Sequence, residues 1–222
     1  MNSASGPQLR APVLVCFALK DEAKYFHVPK QSEDIRILLT GMGKKNAAAS
    51  IRRELGRMRP RLVISSGFAG GLNPELKLNA IAFDEDVEAG LNDSLLKLGA
   101  KRARFHCAGR VAATAAEKLA LRQSTGADAV EMESSIIRAI CREEKIPSAT
   151  IRVISDVARE DLPLDFNQLT TPDLQLSYAR LAGTLLRHPG KIPQLMRFQK
   201  QAAAAAETLG VLLSKLLRDG RG

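Results

Sequence analysis

Residues 129–156 (AVEMESSIIRAICREEKIPSATIRVISD) constrain the fold of this chain more than any other stretch. An apolar run opens the stretch, and residues 134–144 then carry apolar side chains at the spacing of a helix. Pro147 predicts a turn, and residues 150–154 are rich in β-branched side chains, which favour a buried strand. Two strands joined by one helix form a parallel crossover unit, so we predict two parallel strands.

Acidic residues end both of these strands. Glu131 and Glu133 close the first strand, and Asp156 lies just beyond the second. Ligands of open parallel sheets bind at the carboxyl ends of the strands, and neighbouring strands lie about 5 Å apart. If the two strands are neighbours, the three carboxylates are expected to share one crevice. The alternative is that these acids only cap the helices that follow them.

The rest of the chain alternates apolar runs with helical patterns. We predict further strands at residues 11–18, 35–40, 61–66, 80–84 and 103–108. We predict helices within residues 109–127, 174–186 and 194–217, and after the turn at residues 41–46. This alternation is typical of an α/β fold with a mostly parallel sheet flanked by helices.

The length of 222 residues suits one domain with a full-sized core. We expect residues 1–10 to be a flexible leader. Residues 11–222 then form a single domain, with a basic helical C-terminal extension at about residues 187–222.

Two glycine-rich turns and one acid mark the ends of other strands. Gly43 lies in a Gly-Met-Gly turn before a helix, where backbone N–H groups suit an anion such as phosphate. Residues 67–71 contain three glycines, which allow close approach to a ligand. The third glycine of a dinucleotide fingerprint is missing, which disfavours NAD. Glu22 begins a helix after the first strand, where an acid also complements the helix dipole.

The composition argues against a membrane-spanning, disulfide-linked or metal-binding protein. No uncharged apolar run reaches the length of a spanning helix, and the three cysteines have no paired spacing. The three histidines are scattered. We therefore predict a cytoplasmic protein that needs no cofactor.

The net charge of +9 raises the question of a nucleic-acid partner. The chain has only seven Phe, two Tyr and no Trp, and none of them lies among the basic residues in a nucleic-acid-binding motif. We therefore predict no nucleic-acid partner. Much of the positive charge lies in the last third of the chain, where a solvated basic face is the default and attraction to anionic lipid is the alternative.

Four motifs occur together in a recognisable order: TGMGKKNAA, SGFAGGL, VEMES and RVISDVA, preceded by an acid after the first strand. In this combination the chain resembles the nucleoside phosphorylase/nucleosidase superfamily, specifically its methylthioadenosine/S-adenosylhomocysteine nucleosidases, over about residues 11–185. The resemblance implies a three-layer α/β/α fold with a mixed, mostly parallel sheet of the purine nucleoside phosphorylase type. It also implies cleavage of the N-glycosidic bond of a purine nucleoside.

The resemblance implies roles for three catalytic carboxylates. Glu133 corresponds to the acid that holds the ribose hydroxyls, Asp156 to the acid that protonates the purine N7, and Glu22 to the carboxylate that activates water. It also implies a set of residues around substrate: Met132, Glu131, Ser155, Arg152, Phe68, Ala69, Gly70, Val111 and Ala112. Met132 would lie against the sugar, residues 68–70 would form the glycine-rich wall, and residues 111–112 would belong to the base loop.

The chain departs from that pattern in three places. Phe68 replaces the usual serine, the segment between the glycine-rich wall and VEMES is short, and the tail is extended. The short segment and the tail resemble the hopanoid-associated phosphorylase/nucleosidase group, which implies an adenosine with a hopanoid 5′ substituent. The apolar stripe of the tail is expected to pack on the protein's own core or in a dimer interface. Its alternative is peripheral contact with an anionic membrane.

We therefore predict a nucleosidase that releases adenine from a 5′-substituted adenosine by hydrolysis. Phosphorolysis is an alternative, with phosphate as co-substrate near Lys20, Lys44, Lys45 and Gly43. A non-catalytic nucleoside- or lipid-binding protein is the other alternative, because fold does not fix function. The resemblance also implies a homodimer or a larger homo-oligomer.

Overall fold

A computed structural model describes residues 11–28, 34–171 and 177–219 of the chain. The leader expected at residues 1–10 lies outside the described residues. So do the start of the helix predicted at residues 174–186 and the last residues of the C-terminal extension.

The described residues form eight strands and eight α-helices. The strands are β1 (Val13–Phe17), β2 (Ile35–Leu39), β3 (Leu62–Gly71), β4 (Ile81–Glu85), β5 (Lys101–Arg102), β6 (Phe105–Cys107), β7 (Ala129–Glu131) and β8 (Ser148–Asp156). The helices are α1 (Lys20–Ala23), α2 (Gly43–Leu55), α3 (Asn92–Lys97), α4 (Ala115–Thr125), α5 (Ser134–Glu143), α6 (Phe166–Leu169), α7 (Tyr178–Arg187) and α8 (Ile192–Asp219).

The strands form one mixed sheet in the order β2-β1-β3-β8-β4-β5, and β7 and β6 branch from the end of β3. The pairs β1–β2, β1–β3, β3–β8, β4–β5 and β6–β7 are parallel, whereas β4–β8 and β3–β7 are antiparallel. The predicted mixed, mostly parallel sheet is therefore confirmed.

Strand β1 shows why helices cover both faces of this sheet. Its side chains alternate between two separate apolar clusters, as the period of a strand requires. Val13 and Val15 face a cluster that includes the last turns of α8, and Leu14 faces a cluster built with α2 and α5. The sheet is thus the middle of three layers, as predicted.

The prediction that β7 and β8 are parallel is wrong, and the two strands are not neighbours. Strand β3 lies between them, because Gly70 is the register partner of Val130 in β7 and of Asp156 in β8. Strand β7 runs antiparallel to β3 and β8 runs parallel to it, so β7 and β8 point in opposite directions. The chain that leaves β7 and carries Glu133 therefore runs back along β3, away from Asp156.

The C-terminal helix divides into a buried half and an exposed half. Leu209, Leu213 and Leu216 are buried in the apolar cluster between the sheet and α8. This confirms core packing for this part of the apolar stripe. Ile192 and Met196, in the first turns, are 43% and 56% exposed. Within the described ranges, no helix has the length and apolar character needed to cross a membrane.

Candidate active site

Two glycines of β3 leave room for two groups of carboxylates. Gly67 has φ +144°, and a Cβ there would lie 2.5 Å from Oε1 of Glu22. A Cβ on Gly70 would lie 3.1 Å from Oδ2 of Asp156. Three residues of extended strand span about 10 Å. Glu22 therefore lies beside one end of this glycine-rich segment of β3, and Asp156 lies beside the other end. These two places are the first and the second end of the site.

Glu22 is held rigidly at the first end. Its Oε2 accepts a hydrogen bond from the backbone N–H of Leu19 at 2.9 Å, and its Oε1 accepts one from the N–H of Phe68 at 2.9 Å. The side chain is buried. Burial raises the pKa of Glu22, although Arg152 and the backbone donors act in the opposite direction. A buried carboxylate with a raised pKa is suited to accept a proton.

Arg152 is the cation at the centre of this end of the site. It comes from the middle of β8 and is 1% exposed. One nitrogen, Nη2, donates to Oε2 of Glu131 at 2.7 Å and to Oγ of Ser65 at 3.0 Å, and it lies 3.7 Å from Oε2 of Glu133. Its Nε and Nη1 atoms are buried and have no hydrogen-bond partner. Arg152 thus balances the charge of several acids.

Glu131 is fully occupied by the protein. Its Oε2 accepts from the N–H groups of Glu133 and Ser134 as well as from Arg152, and its Oε1 accepts from the Ser134 hydroxyl at 2.8 Å. Burial alone would raise the pKa of this carboxyl, but Arg152 and the backbone donors bring it below its usual value. Glu131 therefore stays ionised and orders the start of α5.

Among Glu22, Glu131 and Glu133, the acids around Arg152, Glu133 has the fewest hydrogen-bond partners in the protein. Its Oε1 accepts from the N–H of Gly43 at 2.7 Å, at the first turn of α2. Burial raises the pKa of Glu133 to about 7, with Arg152 lowering it and the neighbouring Glu131 and Glu22 raising it. Its charge therefore changes near neutral pH.

Asp156 occupies the second end and is paired with a lysine. Its Oδ2 lies 2.5 Å from Nζ of Lys118, and its Oδ1 accepts from the hydroxyl of Ser155 at 2.8 Å. Lys118 comes from α4 and is completely buried. Its ammonium also donates to the backbone carbonyls of Val157 and Glu160.

The remaining predicted residues lie along β3, after β7 and in the loop before α4. Ala69 and Met132 are buried. Phe68 is half-buried and packs against the apolar cluster between the sheet and α8. In the loop before α4, the backbone N–H and C=O of Val111 are both bonded to the side-chain amide of Asn167, at 2.9 Å each. The neighbouring Ala112 is buried in an apolar cluster with Leu72.

Sequence reasoning missed Lys118, Ser65 and Asn167. Each acts through a partner that is distant in sequence: Asp156 for Lys118, Arg152 for Ser65 and Val111 for Asn167. A lysine in an exposed-looking helix carries no signal of burial. Across the part of the chain that the structure describes, no three His, Cys, Asp or Glu side chains are grouped to hold a metal ion.

Comparison with known proteins gives a family for the chain. The sequence model of the Phosphorylase superfamily matches residues 20–83 and 79–187. A 5′-methylthioadenosine/S-adenosylhomocysteine nucleosidase from Glaesserella parasuis serovar 5 (strain SH0165) is 27% identical in an alignment of 168 positions, and the match covers 61% of this chain and 73% of that protein.

Solved structures share the fold at lower identity. The 5′-methylthioadenosine/S-adenosylhomocysteine nucleosidase of Helicobacter pylori superposes with a TM-score of 0.69 at 17% identity, covering 96% of this chain and 100% of that chain. The futalosine hydrolase of Helicobacter pylori strain 26695 superposes with a TM-score of 0.67 at 16% identity, covering 94% and 98%. The three-layer fold predicted from the sequence is the fold of these proteins.

Proposed function

The chain belongs to the Phosphorylase superfamily, and we propose that it hydrolyses the N-glycosidic bond of a 5′-substituted adenosine and releases adenine. The observation that carries the proposal is the arrangement along β3: a buried base, Glu22, at Gly67 and a second carboxylate, Asp156, at Gly70. About 10 Å separates these two glycines along the strand. This spacing admits a nucleoside with its sugar at one end and its base at the other.

The chemistry of the reaction needs acids of different kinds. As the bond between C1′ and N9 breaks, the sugar becomes oxocarbenium-like and negative charge develops on the purine. In the proposed mechanism Asp156 protonates N7, and Glu22 takes a proton from the water that attacks C1′. Glu133 accepts hydrogen bonds from the ribose hydroxyls, and these bonds strengthen as the sugar becomes cationic.

Other residues of the site support these three. We propose that Glu131, Arg152 and Ser155 position the catalytic acids, because their polar atoms contact protein groups. Arg152 donates a hydrogen bond to Glu131, and Ser155 donates one to Asp156. Met132 would contact the sugar, and Phe68, Ala69 and Gly70 would line the site along β3.

Val111 and Ala112 would border the base. The amide of Asn167 presents one acceptor and one donor to the Val111 backbone. The N1 and N6 edge of adenine presents the same pair. We propose that adenine takes the place of this amide on Val111.

The charges of the site favour water over phosphate as the nucleophile. A phosphate near Gly43 would compete with Glu133 for the N–H group, and it would face Glu22, Glu131 and Glu133 around the single guanidinium of Arg152. Bringing a dianion into this cluster would cost electrostatic energy. Phosphorolysis with phosphate as co-substrate remains the second candidate, and it requires no other cofactor.

The first experiment measures adenine release from methylthioadenosine and S-adenosylhomocysteine, with and without phosphate. We expect release without phosphate and no stimulation when it is added. Strict dependence on phosphate would identify a phosphorylase instead. Binding of the nucleosides without release of adenine in either condition would identify a non-catalytic binding protein.

The activity should depend on pH through Glu133. Only its ionised form accepts hydrogen bonds from both ribose hydroxyls, and burial raises its pKa to about 7. The ionised fraction therefore falls as pH decreases through about 7, and we expect kcat/KM to fall with it. A pH profile of kcat/KM checks this result. The Glu133→Gln variant should be much less active and should lose this acidic limb, whereas an unchanged limb in the variant would assign it to another group.

We also propose that residues 11–222 act as one domain in a homo-oligomeric, cytoplasmic protein. The hopanoid nature of the 5′ substituent stays a prediction. Peripheral membrane contact also stays a prediction, and burial of the second half of α8 limits it to the exposed first turns, with Met196 and the basic Arg197 and Lys200.

Contact with an anionic membrane would give binding that salt weakens. We expect co-sedimentation with phosphatidylserine vesicles to decrease as ionic strength rises from about 0.05 M to about 0.5 M, because shorter Debye lengths screen the basic residues. Met196→Asp should weaken binding further. Val211 is 49% exposed on the same helix, and Val211→Asp should not weaken binding. Absence of binding at the lowest salt would remove the membrane from the list of partners.

A further inference from the structure

Lys118 is a completely buried lysine whose ammonium has three protein acceptors. Its Nζ lies 2.5 Å from Oδ2 of Asp156, 3.0 Å from the carbonyl oxygen of Val157 and 2.8 Å from that of Glu160. An ammonium has three N–H donors, so every one is used. Burial of a lysine is costly and is found where a specific partner compensates it.

This pairing raises a problem for the proposed chemistry. A carboxylate in contact with an ammonium carries a negative charge and has no proton to give to a purine. The hydroxyl of Ser155, which donates to Oδ1, is far too weak an acid to replace it. Among the described residues, Lys118 is the cation within salt-bridge distance of Asp156. The proton needed by the leaving group is thus present in the pair, but it resides on Lys118.

We propose that Lys118 supplies the proton that Asp156 delivers to N7 of the purine, so that the two residues act as one acid. The inference rests on the proposed nucleosidase function and names a residue for its leaving-group step. Asp156 contacts the purine, whereas Lys118 acts through Asp156.

The proton movements balance over one turnover. Substrate displaces water, and one proton passes from Nζ to Oδ2 across the 2.5 Å contact, which leaves a neutral amine and a neutral carboxyl group. The bond between C1′ and N9 then breaks, its electron pair passes into the purine ring, and the carboxyl proton moves to N7. Water adds to C1′ and gives one proton to Glu22. After products leave, that proton is lost to solvent and Lys118 regains one.

The surroundings allow this transfer. Gly70 has no side chain, and a Cβ there would lie 3.1 Å from Oδ2, so the glycine is what leaves room for the Asp156 carboxylate beside β3. The other charged groups of the site are Glu22 on α1, Glu131 and Glu133 around β7, and Arg152 on β8. Arg152 pairs with Glu131 and Glu133, and its charge also acts on Glu22. The side chain of Glu160 faces Gln201 of α8 and not the pair.

A substrate with a leaving group that needs no proton tests the inference. In p-nitrophenyl 5-methylthio-β-D-ribofuranoside the nitrophenolate leaves as a stable anion. For Lys118→Met we expect adenine release from methylthioadenosine to fall about 10²- to 10⁴-fold, the contribution of a general acid. Release of nitrophenolate should stay nearly unchanged, and so should both activities of the exposed control Lys97→Met.

Two further variants separate proton supply from charge and from folding. Lys118→Arg keeps the positive charge but does not give up its proton, so it should also fail to release adenine and still release nitrophenolate. Recovery of adenine release in this variant would show that Lys118 acts only as a counter-charge and would overturn the inference. Lys118→Gln keeps two N–H donors for the carbonyls of residues 157 and 160 and serves if the Met variant does not fold.

The comparison of the two substrates decides between the possible roles of Lys118. Equal losses for both substrates in the Lys118 variants would reduce Lys118 to a structural role. Release of neither product by the wild type would instead reject the nucleosidase function itself.

Discussion

Replacing Asp156 by Asn will lower kcat for adenine release by about 10²- to 10⁴-fold. An amide keeps the size of the side chain and a hydrogen bond to N7, but it has no acid proton to transfer. The loss should therefore appear in kcat more than in KM, because ground-state binding is largely retained. Initial rates of adenine release over a range of methylthioadenosine concentrations measure both quantities.

The same substitution should also destabilise the protein. It leaves the Lys118 ammonium completely buried without its counter-charge, and breaking one partner of a buried ion pair costs about 3–5 kcal/mol. For a chain of this size that loss corresponds to a decrease in Tm of about 6–20 °C. Thermal unfolding followed by circular dichroism measures the decrease.

A double variant separates the two effects. Asp156→Asn combined with Lys118→Met removes both charges, so Tm should recover most of the loss while adenine release stays low. Asp93→Asn, an exposed substitution of the same kind on α3, should change neither quantity. If the double variant regained both stability and activity, Asp156 would be a structural partner of Lys118 and another group would protonate the purine.

The sequence alone predicted the layers of the fold, because each strand has to bury side chains on one or both faces. The uncharged run of β1 is the clearest example, since all five of its residues are buried between two helical layers. The length of β3 was not predictable in the same way. Its second half is rich in glycine and lacks an apolar pattern, yet it continues to Gly71 and pairs with both β7 and β8.

That unpredicted pairing changes the arrangement of the acids. Two parallel neighbours would have brought Glu131, Glu133 and Asp156 to one point. The antiparallel direction of β7 instead carries Glu133 towards Arg152 and leaves Asp156 beside Gly70. The acids and Arg152 were found from strand ends and motifs, but their separation into two groups depends on strand order, which one sequence does not encode locally.

Lys118 and Asn167 were beyond sequence reasoning for a related reason. Lys118 lies one residue before Leu119, which is 58% exposed, so the helical pattern of α4 gives no sign that the lysine faces inward. Asn167 lies in the short helix α6 and bonds the backbone of Val111, 56 residues earlier in the chain. A contact between a side chain and a distant backbone leaves no periodic signal.

Replacing Glu22 by Ala will decrease kcat for hydrolysis by about 10²- to 10⁴-fold, because the attacking water loses its base. The variant also leaves the N–H groups of Leu19 and Phe68 without their acceptor, beside the space that Gly67 keeps open. A small anion that needs no base can use this space. We therefore expect azide to restore cleavage of methylthioadenosine in Glu22→Ala and to yield a ribosyl azide.

Product analysis makes this test specific. Mass spectrometry should detect the ribosyl azide with Glu22→Ala and free 5-methylthioribose with the wild type, while adenine appears in both reactions. Asp21→Asn, an exposed neighbour on α1, should hydrolyse the substrate at the wild-type rate and form no azide adduct. A Glu22→Ala variant that hydrolyses at the wild-type rate would exclude Glu22 as the base. If phosphate restored the variant and azide did not, Glu22 would instead be the group that excludes phosphate, and the chain would be one substitution away from phosphorolysis.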